Sequence, residues 1–204
     1  MKVVIVFNHP YEGSFCNAIL NSVSAGLKKA NDEIDLIHLD NDKFDPVMRS
    51  KDLEAFAKAK YDASSSTQFA DLMVLDFKQR LENAEHLVFI FPIWWELMPA
   101  LTKGFIDKVI FPGITYEYSK TGMGMISKMK RLKRLTVITT MNTPSFFYWL
   151  IFGNAIKKAI MTGTFWKIGV KNRTWISLNM VKFVSEEKRK KWLKKIEYKF
   201  AIRK

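Results

Sequence analysis

Near the start of the chain, Asn8-His9-Pro10-Tyr11-Glu12-Gly13-Ser14-Phe15-Cys16-Asn17 puts an imidazole, a hydroxyl and a thiol in one short segment. Ser14 stands where a helix cap would stand, so the segment aims first-turn N–H groups and the positive end of a helix dipole at its surroundings. That is a site for an anion, with phosphate as the expected occupant. The plainer role for the same residues is a cap and a histidine satisfied by backbone. The segment has neither GxGxxG nor GxxxxGK[ST], so the usual dinucleotide fingerprint and a Walker-type ATPase are unsupported. Cys16 falls in the first helical turn, where a thiolate is stabilised, but His9 is the only base nearby and packing is the simpler role. A second group is Pro92-Ile93-Trp94-Trp95, whose paired indoles need covering, either by a flat aromatic ligand or by protein. His38 and His86 sit in strand-like runs and read as structural. One cysteine and three histidines exclude a thiolate zinc or iron–sulfur site, and no Ser/His/Asp set or paired-carboxylate motif is visible.

The elements that must position these residues alternate along the chain. Lys2 to Phe7 is a β-branched apolar run, as expected of a strand covered on both faces. From Ser14 to Ala30 a helix carries Phe15, Ile19, Val23 and Leu27 on one stripe. Strands follow at Glu33 to Leu39, His86 to Phe91, Arg134 to Thr140 and Val170 to Leu178. Helices are predicted from Lys51 to Tyr61, Phe69 to Asn83, Pro99 to Ile110, Pro144 to Met161 and Ser185 to Lys199, with a polar break at Ser64-Ser65-Ser66. Strand and helix alternating five times means a parallel sheet with helical crossovers on both faces. Ligands of such sheets sit beyond the carboxyl ends of the strands. This singles out residues 8–16, 92–96 and 141–148.

The chain of 204 residues carries a net charge of +13, unevenly spread. Residues 1–102 hold 10 Lys and Arg against 15 Asp and Glu, whereas residues 103–204 hold 23 against 5. A basic half suits nucleic acid, an anionic membrane or phosphorylated ligands, but a solvated lysine-rich surface is the simplest reading. No specific nucleic acid is expected, because no basic stretch is interleaved with a recognised binding motif. The longest apolar stretch falls short of the roughly 20 residues that a membrane span requires, so no membrane insertion is expected. The N-terminal run lacks a long apolar region and a cleavage site, and the expected compartment is the cytoplasm.

Four stretches together resemble the flavodoxin-like NAD(P)H:quinone oxidoreductases, a family that includes bacterial modulator-of-drug-activity proteins and ancillary subunits of potassium-efflux systems. The run from Phe91 to Val109 follows the family pattern FPxxWxxxPAxLKGxxDRV. His9 with Ser14-Phe15-x-x-Ala18 follows HPxxxSFxxAL, Gly113-x-x-Tyr116-x-Tyr118 matches a turn, and Thr139-Thr140 follows the fourth strand. Gly153-Asn154, Gly163-Thr164-Phe165 and Gly169-Val170 resemble the family's later portion.

The resemblance implies a flavodoxin-like three-layer α/β sandwich, with five parallel strands in the order 2-1-3-4-5 and residues 1–204 as one flavin-binding domain. It implies FMN or FAD with NAD(P)H as donor; the lack of the long C-terminal extension of the largest FAD-containing relatives favours FMN. His9, Ser14, Phe15, Cys16 and Asn17 would surround the phosphate. Pro92, Ile93, Trp94 and Trp95 would line the isoalloxazine edge, and Thr139, Thr140, Met141 and Asn142 would close the other side. A homodimer is implied, with Tyr116 and Tyr118 edging the partner's pocket. Two departures stand out. Met141-Asn142 replaces a Gly-Gly pair, which would narrow the flavin pocket or change how backbone amides approach the ring. No histidine follows His86, which leaves Tyr148 as the candidate catalytic hydroxyl donor. The expected activity is ping-pong transfer of two electrons to a quinone or related electrophile. The alternative is a flavin- or nucleotide-binding regulatory subunit of a membrane transporter with little turnover.

Overall fold

In the computed structural model the described residues are 1–59, 70–121 and 123–202. The Ser64-Ser65-Ser66 break and the helix boundaries expected at Tyr61 and Phe69 lie outside them. In chain order the first half runs β1 (Lys2–Phe7), α1 (Phe15–Lys29), β2 (Glu33–His38), α2 (Ser50–Ala59), α3 (Leu72–Asn83), β3 (His86–Pro92) and α4 (Ala100–Val109). The second half runs β4 (Tyr116–Tyr118), β5 (Met125–Ser127), β6 (Arg134–Thr140), α5 (Ser145–Leu150), a π-helix (Lys157–Trp166), β7 (Arg173–Leu178) and α6 (Glu186–Ala201).

Five parallel strands pair in the order β2-β1-β3-β6-β7. This is the expected 2-1-3-4-5 order, with the antiparallel β4–β5 hairpin counted between the third and fourth strands. Patterning explains the layers. β3 is buried at all seven positions and β1 at five of six, so neither strand has a solvent face. Val4, Val6, Leu87, Phe89 and Phe91 face a core that also holds Phe77, Phe105 and Phe165. Val3, Ile5, Phe7, Val88 and Ile90 face the opposite core, closed by α1 and α6 through Ile19, Val23, Leu27, Ile196 and Phe200. Each such side chain contributes about 1.5–3 kcal/mol by leaving water.

Close packing of α1 on α6 depends on Gly26, where a methyl group would overlap the Glu197 carbonyl oxygen and lie 2.8 Å from Phe200 Cβ. The register aligns the strand ends that matter. Phe7 stands beside Ile90, and Pro92 beside Thr140, so the loops after β1, β3 and β6 leave the sheet side by side.

Two expectations need correction, and one element had no expectation. The single helix from Pro144 to Met161 is instead the short α5 followed by the π-helix, because Gly153 and Asn154 adopt φ of 59° and 54° and end the first segment. The last strand begins at Arg173 rather than Val170, after Gly169 turns the chain at φ 89°. The β4–β5 hairpin was not anticipated, because three-residue strands are too short to show a period. Among the described residues no helix is long and apolar enough to cross a membrane.

His86 is structural, as expected. Its Nε2 lies 2.9 Å from the Thr136 hydroxyl, and its ring stacks on Phe200 at 5.7 Å. Burial, with Arg134 nearby, pushes its pKa down from 6.5 to about 3. Between those two values the unfolded chain binds a proton that the native state refuses, so stability falls as the pH drops through that window, at up to about 1.4 kcal/mol per pH unit. His86→Gln is expected to flatten the fall in urea midpoint between about pH 6 and pH 4. An unchanged slope would place the acid sensitivity elsewhere.

Candidate active site

The loop after β1 is pinned by Asn8, a buried amide. Its N–H donates to Ile90 O at 3.0 Å and its Nδ2 to Asp40 at 2.9 Å, while its Oδ1 accepts from the Thr102 hydroxyl at 2.9 Å. One side chain thus ties the ends of β1 and β2 to the start of α4. Beyond it, Ser14 caps α1: its side chain accepts from Asn17 N at 3.1 Å, with φ −73° and ψ 154°. No carboxylate stands in the first turn of α1, so nothing acidic competes for the N–H groups that a helix leaves without internal partners. Asn17 Nδ2 donates to Glu12 O at 2.6 Å and closes the loop on itself. His9 Nδ1 accepts from Tyr11 N at 3.1 Å, which leaves Nε2 to carry the proton of the neutral ring. Burial lowers the His9 pKa against the pull of Asp40, favouring that neutral form.

Cys16 lies beneath this loop, buried, with Sγ 3.3 Å from the Thr140 hydroxyl. Burial pushes its pKa up to about 11, so it is a thiol at neutral pH and a packing residue, not a nucleophile. Phe15 packs with Trp192 of α6, ring centroids 6.4 Å apart.

After β3, Pro92 and Ile93 are buried, and Ile93 N donates to Thr140 O at 2.8 Å, extending the β3–β6 pairing. The chain then reverses between Trp94 and Leu97, which exchange backbone hydrogen bonds at 2.9 and 3.1 Å. The two central residues, Trp95 and Glu96, have φ of 51° and 62°. This is the pattern of a type I′ turn, which normally selects Asn and Gly; non-glycine residues held there store about 1–3 kcal/mol each. Trp95 is 98% exposed. Trp94 leans edge-on toward His9, ring centroids 6.1 Å apart, so the first and second loops meet.

The third loop holds the strained turn in place. The Tyr148 hydroxyl donates to Glu96 O at 3.0 Å and accepts from Ile156 N at 3.1 Å. The Thr143 hydroxyl donates to Glu96 Oε1 at 2.6 Å. Tyr148 is 1% exposed and its hydroxyl is engaged on both sides by backbone. In this arrangement Tyr148, expected as a catalytic hydroxyl donor, braces the turn. Thr139 accepts from Trp175 Nε1 at 3.0 Å, and both Thr139 and Thr140 are buried. Met141 packs into the core rather than into the crevice, and neither it nor Asn142 needs a positive φ, so replacing Gly-Gly does not narrow the site by that route. Asn142 is exposed, with Oδ1 accepting from Lys182 N at 3.1 Å.

Tyr116 and Tyr118 do not join this constellation. They pack on each other at 5.8 Å on β4, and Tyr116 lines a cleft with Phe56, Ile106 and Met125. Sequence reading placed Asn8, Glu96 and Thr143 in the right segments but gave no role to them or to Thr102. Only Glu96 carried a signal, as the one charged residue between His86 and Lys103.

A family model for the flavodoxin-like fold matches residues 1–199, and the chain belongs to that family. It is 26% identical over 126 residues to NAD(P)H dehydrogenase [quinone] 1 of Cavia porcellus, covering 58% of this chain and 46% of that protein. It is 25% identical over 144 residues to the FMN-dependent NADH:quinone oxidoreductase of Macrococcus caseolyticus, covering 64% and 66%. The chain thus spans about half to two-thirds of the length of these curated relatives. The NAD(P)H:quinone oxidoreductase from Methanothermobacter marburgensis shares the fold, with a TM-score of 0.86 at 22% identity over 98% of both chains.

Tyr148→Phe leaves the Ile156 N–H and the Glu96 carbonyl without their shared partner. It is expected to lower stability by about 1–3 kcal/mol in urea unfolding. A cost below about 0.3 kcal/mol would mean that the brace carries no load.

Proposed function

We propose that this protein is a flavin-dependent NAD(P)H oxidoreductase that binds FMN and passes two electrons from a nicotinamide to a quinone or related electrophile. The observation that carries this reading is the meeting of three loops at the carboxyl ends of β1, β3 and β6. They place a helix N-terminus free of acid at one end and a half-exposed indole beside a fully exposed one at the other. The residues fit the cofactor. Glu96 Oε2 is buried without a hydrogen-bond partner, an acceptor left for a ligand N–H or O–H. The names of the relatives, FMN-dependent in one case, support FMN over FAD.

When bound, FMN supplies hydride acceptance from the nicotinamide and two-electron delivery to the acceptor. The N–H groups of Phe15 and Cys16 would hold its phosphate, with the Ser14 hydroxyl and the neutral His9 Nε2–H as further donors, while the Asn17 N–H is taken by the Ser14 cap. Trp94 and Trp95 would give the ring an aromatic wall and exclude water, with Pro92 and Ile93 holding that wall to the sheet. Thr139 and Thr140 spend their hydroxyls on Trp175 and Cys16, so the third loop would meet the ring through backbone groups of Thr140, Met141 and Asn142. Donor and acceptor use one face in turn, a ping-pong exchange. Tyr116 and Tyr118, remote from this protomer's crevice, close the crevice of a second copy in a homodimer.

The purified protein is expected to show flavin absorption that bleaches with NAD(P)H and returns with a quinone. A colourless protein that takes up neither FMN nor FAD would sink the reading. Initial rates with both substrates varied should give parallel double-reciprocal lines; intersecting lines would exclude ping-pong. Trp95→Ala should leave stability within about 0.5 kcal/mol while lowering kcat/KM roughly tenfold, because the side chain touches solvent and not the core.

A further inference from the structure

At the end of the sheet opposite the crevice, where β1, β3 and β6 begin, lies a cavity of about 120 Å³ that the redox reading does not use. His86 and Arg134 stand side by side there as the first residues of β3 and β6. A strand length of about 20 Å separates them from Pro92 and Thr140. The buried pair His86 and Thr136, joined at 2.9 Å, lines the cavity together with Asp32, Arg134, Thr174 and Lys199. Leu27, Leu135, Phe200 and Ile202 give it an apolar side. A void with so many hydrogen-bonding groups around it holds water or a polar ligand, unlike a gap in an apolar core.

Charge and size narrow the ligand. Asp32 accepts from the Met1 ammonium at 2.6 Å, so those two charges offset each other. Arg134 and Lys199 then leave the lining cationic. Lys199 is exposed on α6 and, among the described residues, enters no salt bridge. His86 adds no charge, since burial holds its ring neutral near pH 7. A guanidinium meets a carboxylate through two parallel hydrogen bonds, and an ammonium supplies a further charged donor. The cavity is far smaller than the roughly 300–1,000 Å³ of sites for drug-sized ligands, which excludes nucleotides and quinones. Phosphate would fit by size but would leave the apolar side unused. A carboxylate on a tail of a few carbons uses both sides, the head against Arg134 and Lys199 and the tail against Leu135 and Phe200.

We propose that this cavity is a second ligand site, specific for a short-chain carboxylate and separate from the crevice. The test needs neither flavin nor nicotinamide, so its failure leaves the redox reading untouched. The full chain is titrated calorimetrically with sodium butyrate at constant ionic strength, with sodium chloride and sodium phosphate as comparisons. Butyrate is expected to bind at one site with millimolar affinity, chloride to give no saturable heat, and phosphate to bind at least about tenfold more weakly. In nitrogen–proton correlation spectra the amide signals of Leu135, Asn172 and Phe200 should move, while those of Cys16, Trp95 and Asn142 stay in place. Thr174→Phe, which fills the cavity, and Lys199→Glu, which reverses a charge, should each weaken butyrate at least about tenfold without lowering the melting temperature of the free protein. Should Thr174→Phe fail to fold, the exposed Lys199 decides alone. Absence of butyrate binding overturns the proposal and leaves the cavity to solvent. Phosphate that binds as tightly as butyrate also overturns it, since the apolar side would then play no part. Folded variants that bind like wild type, or shifts confined to the crevice, do the same.

Discussion

A parallel sheet buried on both faces dictates most of what this molecule is. Its strands cannot be joined by hairpins, so after each one the chain must cross over as a helix and re-enter from the same end. Every departure from the sheet therefore occurs at one edge, where the loops after β1, β3 and β6 emerge as neighbours through the register of Phe7, Pro92 and Thr140. The crevice follows from covering the sheet; no separate device builds it. Asn8 shows the dependence in one side chain, since the amide that ends β1 also fixes β2, β3 and α4 at that edge.

Within the crevice, rigidity and strain are balanced locally. Trp95 and Glu96 occupy backbone conformations that their side chains disfavour, and they remain there because Tyr148 and Thr143 grip Glu96 from a different strand's loop. The indole that projects furthest into solvent thus stands on one of the most constrained turns in the chain. A surface held this way is set in place by the fold itself.

The fold was legible because its signals are long. Runs such as KVVIVF and HLVFIFP need no context to read as strands closed on both sides, and their alternation with amphipathic helices leaves few topologies. The loops were legible in place but not in detail. The position of Ser14 showed a cap, and the structure has one. Tyr148 was found for its hydroxyl, yet its direction depends on Gly153-Asn154 turning the chain back so that Ile156 meets the same oxygen. That is a tertiary fact with no periodic trace. Glu96 and Thr143 act as a pair 47 residues apart, which spacing along a sequence cannot reveal. The β4–β5 hairpin and the switch to a π-helix were missed because each is set by packing on its neighbours rather than by its own composition.

Gly26 has a consequence for how the chain is made. Its missing side chain lets α6 lie directly on α1, so the apolar stripe of one of the earliest elements is covered by the last helix in the described chain. On the ribosome, Ile19, Val23 and Leu27 must wait for Ile196 and Phe200. At about 5–20 residues per second that is an interval on the order of ten to forty seconds. For that time the nascent protein carries open to water the face of α1 that α6 will cover.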